Sequence, residues 1–183
     1  MGPILQRALR AARFDRRVFD ETRWDANATA DAVVLVAAIS LVVFLARVVG
    51  SGFDIADYVA LALNVVISNV AGWLLLAVAT WFAASRIFKP EGDYWRRFEQ
   101  TQALMRVHGI AYLPMALGAL VFVSPIFSAV GSLWYFAAAG VGTAEVMDIK
   151  TRDGLIGLLL GAVILFIVQL IFSFPFAFFS AFI

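Results

Sequence analysis

Arg106, His108 and Glu145 are the residues whose types could do chemistry together within otherwise apolar stretches of this chain. A guanidinium, an imidazole and a carboxylate in reach of one another can relay a proton, hold a partner's charge, or clamp two helices through an ion pair. Their spacing suggests that they meet. Counting back from the turn at Ser124-Pro125, Arg106 is about 18 residues away, and counting forward Glu145 is about 20. At ~1.5 Å per residue on antiparallel helices the two reach nearly the same depth, with His108 one step deeper. The spacing predicts an Arg106–Glu145 ion pair with His108 beside it. A proton-linked or partner-binding site is one reading. A structural clamp between helices is the favoured one, because charges inside a membrane ordinarily pair.

Other chemistry is sparse. There is no cysteine, which excludes disulfides, thiolate nucleophiles and Cys-ligated metals, and His108 is the single histidine. No phosphate-binding loop, zinc-protease motif or serine-hydrolase elbow occurs. No catalytic residue, cofactor, metal or nucleic-acid partner is expected.

The elements that must position these residues are transmembrane helices. Hydrophobic residues make up 63% of 183 and charged residues 15%, against roughly 45–50% and about 25% in soluble proteins. Hydropathy predicts an all-α bundle of five spans. The first runs about Ala32 to Gly50 and the second about Tyr58 to Phe88. The second exceeds a straight crossing, so it is either one tilted helix or a span entered through an interfacial segment. The third runs about Ala103 to Val123, with Pro114 expected to kink it by removing the bond to the Ile110 carbonyl. The fourth runs from the Ser124-Pro125 turn to about Met147, and the fifth starts near Leu155 after a polar loop over Asp148–Gly154. Residues 1–31 form a polar N-terminal segment and 32–183 the transmembrane domain.

The basic residues orient the bundle. Six Lys or Arg precede the first span, five lie in or beside the loop between spans two and three, and Lys150 and Arg152 lie between spans four and five. The positive-inside rule then places the N-terminus in the cytoplasm and the C-terminus outside, which requires an odd number of spans. Within the first segment, Ile4, Leu5, Ala8, Leu9 and Ala12 share one helical face, and Arg7, Arg10 and Arg13 lie opposite. That pattern predicts a basic amphipathic helix on anionic lipid, held by Arg7, Arg10, Arg13 and Arg17, with packing on the protein's own loops as the alternative. Trp24 would sit near the headgroups.

The remaining polar groups have modest readings. Arg47 is expected to snorkel or to pair with Asp54 or Asp57. Asn64 and Ser68 share a face and, with Asn69, suggest interhelical hydrogen bonds. Gly157 and Gly161 form a small-xxx-small pattern, suited to packing within the chain or to a homo-oligomer.

From about Phe98 to Gly161 the chain resembles the Yip family, the Ypt/Rab-interacting membrane proteins and their prokaryotic relatives. The likeness rests on Gly109-Ile-Ala-Tyr112-Leu-Pro114, on Leu133-Trp134, and on Val141-Gly142-Thr-Ala-Glu145 followed by Gly154-Leu-Ile-Gly157. Ile110 stands where eukaryotic members carry Tyr, and their Asp-Leu-Tyr-Gly-Pro motif is absent. The resemblance implies a non-enzymatic, multi-pass membrane scaffold that organises an unidentified protein partner, or the membrane itself, at a basic cytoplasmic face. The prokaryotic inner membrane is the expected location. An accessory subunit of a larger complex and a transporter or channel component are the alternatives.

Overall fold

Long runs of apolar residues, broken by proline, glycine and charge, leave few ways to satisfy the backbone other than helices that hydrogen-bond internally. A computed structural model describes residues 2–48, 55–88 and 94–180, without the side chains of 55–57, 94–97 and 172–180. Among these residues every regular element is helical: α1 (Pro3–Ala12), α2 (Arg16–Trp24), α3 (Ala28–Val48), α4 (Ile55–Ile87), α5 (Tyr94–Ile110), a 3-10 helix (Leu113–Leu120), α6 (Pro125–Met147) and α7 (Thr151–Ser180). Five spans are long and apolar enough to cross a membrane, as hydropathy predicts: α3, α4, α5 continued by the 3-10 helix, α6 and α7. This is a multi-pass membrane protein.

The second apolar run is one continuous helix of 33 residues. The third span does more than kink. α5 stops at Ile110, Tyr112 N–H bonds the Gly109 carbonyl at 3.1 Å, and Met115 N–H bonds the Tyr112 carbonyl at 3.0 Å. The ring of Pro114 cannot coexist with the Ile110 carbonyl in an α-helical turn, so the chain tightens into i→i+3 bonding rather than bending within one helix. Ser124 then caps α6 by accepting from Ile126 N–H at 3.3 Å, with Pro125 at the first helical position. α6 ends at Asp148, whose φ of 52° is left-handed. α7 begins at Thr151, so the predicted Asp148–Gly154 loop is shorter than expected.

The core joins all parts of the chain. Ala8, Ala11, Val18 and Phe19 of the N-terminal helices lie in one cluster with Ala32, Val36, Trp73, Ala77, Leu104, Val107, Ala138 and Leu158 of the spans. α7 packs along α4 and α6, while α3 packs on α4, α5 and the 3-10 helix. The Gly157/Gly161 pattern is used within the chain: a Cβ at Gly161 would stand 2.6 Å from the Thr80 backbone nitrogen, and one at Gly157 would stand 3.0 Å from the Ala84 side chain. The outward faces of α4 and α7 expose Leu63, Ile67, Leu75, Leu159, Val163 and Phe166, as lipid-facing helices should. Asn64 and Ser68 are also exposed, so the expected interhelical bonding falls to their neighbour. Asn69 accepts from the Tyr112 hydroxyl at 3.2 Å. The proposed Arg47 partners, Asp54 and the Asp57 side chain, lie outside the described residues.

Candidate functional site

At the end of the bundle that carries the N-terminus, α1 and α2 form a hairpin against the span ends. Phe14, at a left-handed φ of 60°, reverses the chain between them. Asp15 caps α2 by accepting from Arg17 N–H at 3.0 Å. Arg10 is the clasp: it donates to Asp15 at 2.8 Å and to both Glu21 oxygens at 2.9 and 3.1 Å. These bonds from Arg10 hold the carboxyls of both Asp15 and Glu21 below their ordinary range. Arg7 does the same for Asp25, at 2.7 Å.

The sign of the resulting pH dependence follows. A carboxylate with a depressed folded pKa contributes stability above its unfolded value and loses it as pH falls through the folded one. The hairpin should therefore hold at neutral pH and start to loosen only below the ordinary values of 4.5 for Glu21 and 3.8 for Asp15. The chain has no native cysteine, so spin labels placed at Gln6→Cys and Arg17→Cys report the α1–α2 separation directly. The expected result is a constant separation from pH 8 to pH 5 and widening only in more acid solution. Widening near pH 6 would contradict it.

The residues expected to meet are brought to one region but not paired as expected. Arg106 donates to Thr29 Oγ1 at 2.9 Å, to the Arg23 carbonyl at 2.8 Å and to Gln102 at 3.5 Å. Glu145 pairs instead with Arg16 at 3.3 Å. The direct Arg106–Glu145 clamp is absent because α2 intervenes: Arg23 gives its carbonyl to Arg106 and its guanidinium to the Glu145 carbonyl, at 2.6 Å, and to Asp148, at 3.2 Å. Arg23 thus touches both residues, from a helix that counting along the spans did not include. Arg16 also donates to Thr151 at 2.6 Å, so α2 is tied to both α6 and α7.

His108 takes no part in that network. It is fully buried, and its Nε2 lies 2.9 Å from Thr143 Oγ1. Thr143 spends its one hydroxyl proton on the Ala139 carbonyl, at 2.8 Å. The network therefore assigns the proton to Nε2, which donates to Thr143, and leaves Nδ1 as a buried acceptor with no partner among the described residues.

The motif residues Gly109, Tyr112 and Pro114 shape the bundle rather than this face. A Cβ at Gly109 would collide with Ala32 and with the ring of Trp73, so glycine is what lets α5 approach α3. Trp73 in turn donates to the Met105 carbonyl at 3.1 Å. Tyr112 meets Tyr135 edge-on, with ring centroids 5.3 Å apart. A family model described as the Yip1 domain matches residues 9–173. The chain belongs to the Yip1 family. No curated protein matches it, and no solved structure does.

In this Yip1-family chain the match begins within α1, and the structure gives a reason for treating the hairpin as part of the domain: Trp134 of α6 donates to the Ala12 carbonyl at 2.7 Å. The apolar side of α1 faces the protein, with Ala8, Ala11 and Ala12 buried. Arg7 and Arg10 are engaged by carboxylates, whereas Arg13 and Arg17 are exposed. Between α2, the link to α3, the end of α4, α5 and the end of α6 lies a cavity of about 840 Å³. Arg23, Arg106, Glu99, Asp148, Gln100 and Gln102 supply its polar lining, and Trp24, Phe88, Val146, Met147 and Ile149 its apolar walls. Sequence reasoning did not find Arg16, Arg23, Asp148 or Thr143. The available signal was the spacing of Val18, Phe19 and Thr22, the buried face of α2.

Proposed function

We propose that this Yip1-family protein is a non-enzymatic scaffold in a prokaryotic inner membrane, and that the end bearing α1 and α2 is its contact face in the cytoplasm. The observation that carries the proposal is the hairpin itself. It is clasped by Arg10 and tied to the span ends through Arg16 and Arg23. It also presents Arg13 and Arg17 on the same end as the exposed Lys150 and Arg152. A fixed array of exposed cations suits an acidic protein surface or anionic lipid better than it suits catalysis. The transporter reading is less well supported. A second cavity, about 140 Å³ and lined by Ser40, Asn69, Tyr112, Ser128 and Arg47 among others, shares no residue with the large one. Buried Val107, Ile110 and Ala111 occupy the third span between Arg106 and Tyr112.

Two measurements test the proposal. Reporter fusions after Gly92 and after Arg152 should read cytoplasmic and a fusion at Ile183 external; a cytoplasmic reading at Ile183 would overturn the orientation. In mild detergent, the tagged full chain should co-purify with a defined partner, and reversing Arg13, Arg17, Lys150 and Arg152 to Glu should abolish that. An unchanged set of partners after reversal would remove the basic face from the account.

A further inference from the structure

We infer that the large cavity binds the headgroup of a zwitterionic phospholipid, with the phosphodiester at Arg106 and the ammonium towards Glu99 and Asp148. This rests on the reading of the α1–α2 end as the functional face, and it names a ligand for that face.

Arg106 is the group that faces the phosphodiester. Its guanidinium is part-buried, and its three hydrogen bonds all go to neutral oxygens: a hydroxyl, a carbonyl and a side-chain amide. Among the described residues, no carboxylate comes within ion-pair distance of it, whereas Arg7, Arg10, Arg16 and Arg23 each have at least one. A planar guanidinium that is half-withdrawn from water and faces a cavity is a strong site for a phosphate or carboxylate oxygen. Arg23 stands beside it, its guanidinium 4.7 Å from the centre of the Trp24 ring.

The rest of the lining decides what kind of anion fits. Among the described lining residues two cations, Arg23 and Arg106, are matched by two anions, Glu99 and Asp148, so this polar lining is formally neutral. A polyanion would gain Arg106 and meet two carboxylates, whereas a molecule carrying one phosphate and one ammonium satisfies both signs. Asp148 is available for this, its side chain 80% exposed although Arg23 touches it. The left-handed backbone at Asp148 aims that carboxylate from the end of α6, just past the apolar span.

The position and walls supply the other half of the ligand. Phe88, Val146 and Met147 sit at the ends of the spans α4 and α6, the depth at which a lipid's phosphate gives way to its acyl chains. The cavity, about 840 Å³, lies within the roughly 300–1,000 Å³ of ordinary small-molecule sites. Trp24 is 71% exposed at its mouth, an aromatic placed as interfacial tryptophans are.

The test uses the full chain, delipidated in detergent, with binding read by native mass spectrometry and by the shift in thermal midpoint. The probes are phosphatidylethanolamine, phosphatidylglycerol and soluble glycerophosphoethanolamine. Phosphatidylethanolamine should bind at least about tenfold more tightly than either of the others. Arg106→Gln should lose most of that binding. Because Arg106→Gln could disturb α2, the deciding variant is Glu99→Gln with Asp148→Asn. Glu99 is exposed and asparagine tolerates a left-handed backbone, so this variant should fold and should shift preference towards phosphatidylglycerol. Equal binding of the two lipids by the native chain would overturn the inference, as would an unchanged preference in the double variant. Soluble glycerophosphoethanolamine binding as tightly as the lipid would overturn the lipid assignment. The readout is lipid binding rather than partner capture, so this inference and the scaffold proposal fail separately.

Discussion

Gly161→Leu should separate α7 from α4 and be among the most damaging single substitutions in the chain. The two helices approach so closely that a Cβ at 161 would lie 2.6 Å from the Thr80 nitrogen and 2.7 Å from its Cα. These are backbone atoms, which cannot swing aside like the end of a flexible side chain. In lipid, helices associate largely through such close packing, because the apolar faces gain little by leaving one hydrocarbon environment for another. Overpacking ordinarily costs about 1–3 kcal/mol, and a backbone collision belongs at the upper end or beyond. At about 2–4 °C per kcal/mol for a chain of this size, the midpoint of the detergent-solubilised protein should fall by roughly 6–12 °C. Gly72→Ala is the matched control, since a Cβ there meets nothing within 4 Å. Helix propensity alone favours replacing a helical glycine, so a loss of equal size at both positions would remove close packing at Gly161 as the cause.

The second large effect is expected at His108 and Thr143. Thr143→Val removes the only partner that a fully buried imidazole has among the described residues and leaves both ring nitrogens unsatisfied there, which should cost about 1–3 kcal/mol. His108→Leu should also destabilise, by stranding less polar surface but changing shape. Combining them removes both polar groups, so the double variant should be more stable than the sum predicts, with a coupling of about 1 kcal/mol or more. The same cycle on Arg106→Ala and Glu145→Ala should give little direct coupling, because each contacts α2 rather than the other. Additive losses at His108 and Thr143 would refute the hydrogen bond between them.

These two cases show what could be read from the residues. The five spans were legible because hydropathy over about twenty residues has one solution in a bilayer. That Arg106 and Glu145 lie in one region was legible because a tight turn limits the register of two antiparallel helices. Their partners were not. An amphipathic segment such as Ile4–Ala12 has the same periodicity whether its apolar side meets lipid or protein, and only the packing of Ala8 and Ala11 decides. Once α2 lies between α5 and α6, backbone carbonyls become acceptors, and carbonyls leave no trace in the identity of a residue. Asn69 was one of three candidates for interhelical bonding, and the sequence did not single it out. Spacing favoured Asn64 and Ser68, but which side of a lone helix faces its neighbours depends on where α3 and the 3-10 helix sit.

The continuous helix over the second apolar run makes the helices uneven in length. At ~1.5 Å per residue, the 33 residues of α4 extend about 50 Å and the 30 of α7 about 45 Å, whereas α3 and α6, with 21 and 23, extend about 32 and 35 Å. The tall pair are neighbours, so the bundle has a high flank and a low flank. Lipid around it cannot match both with one thickness. Either α4 and α7 lean, or the surrounding leaflets stretch on one side and relax on the other, at a fraction of a kcal/mol for each ångström of mismatch. An upright bundle would need thicker leaflets along the α4–α7 flank than along the α3–α6 flank, whereas a lean of α4 and α7 brings both flanks to one thickness.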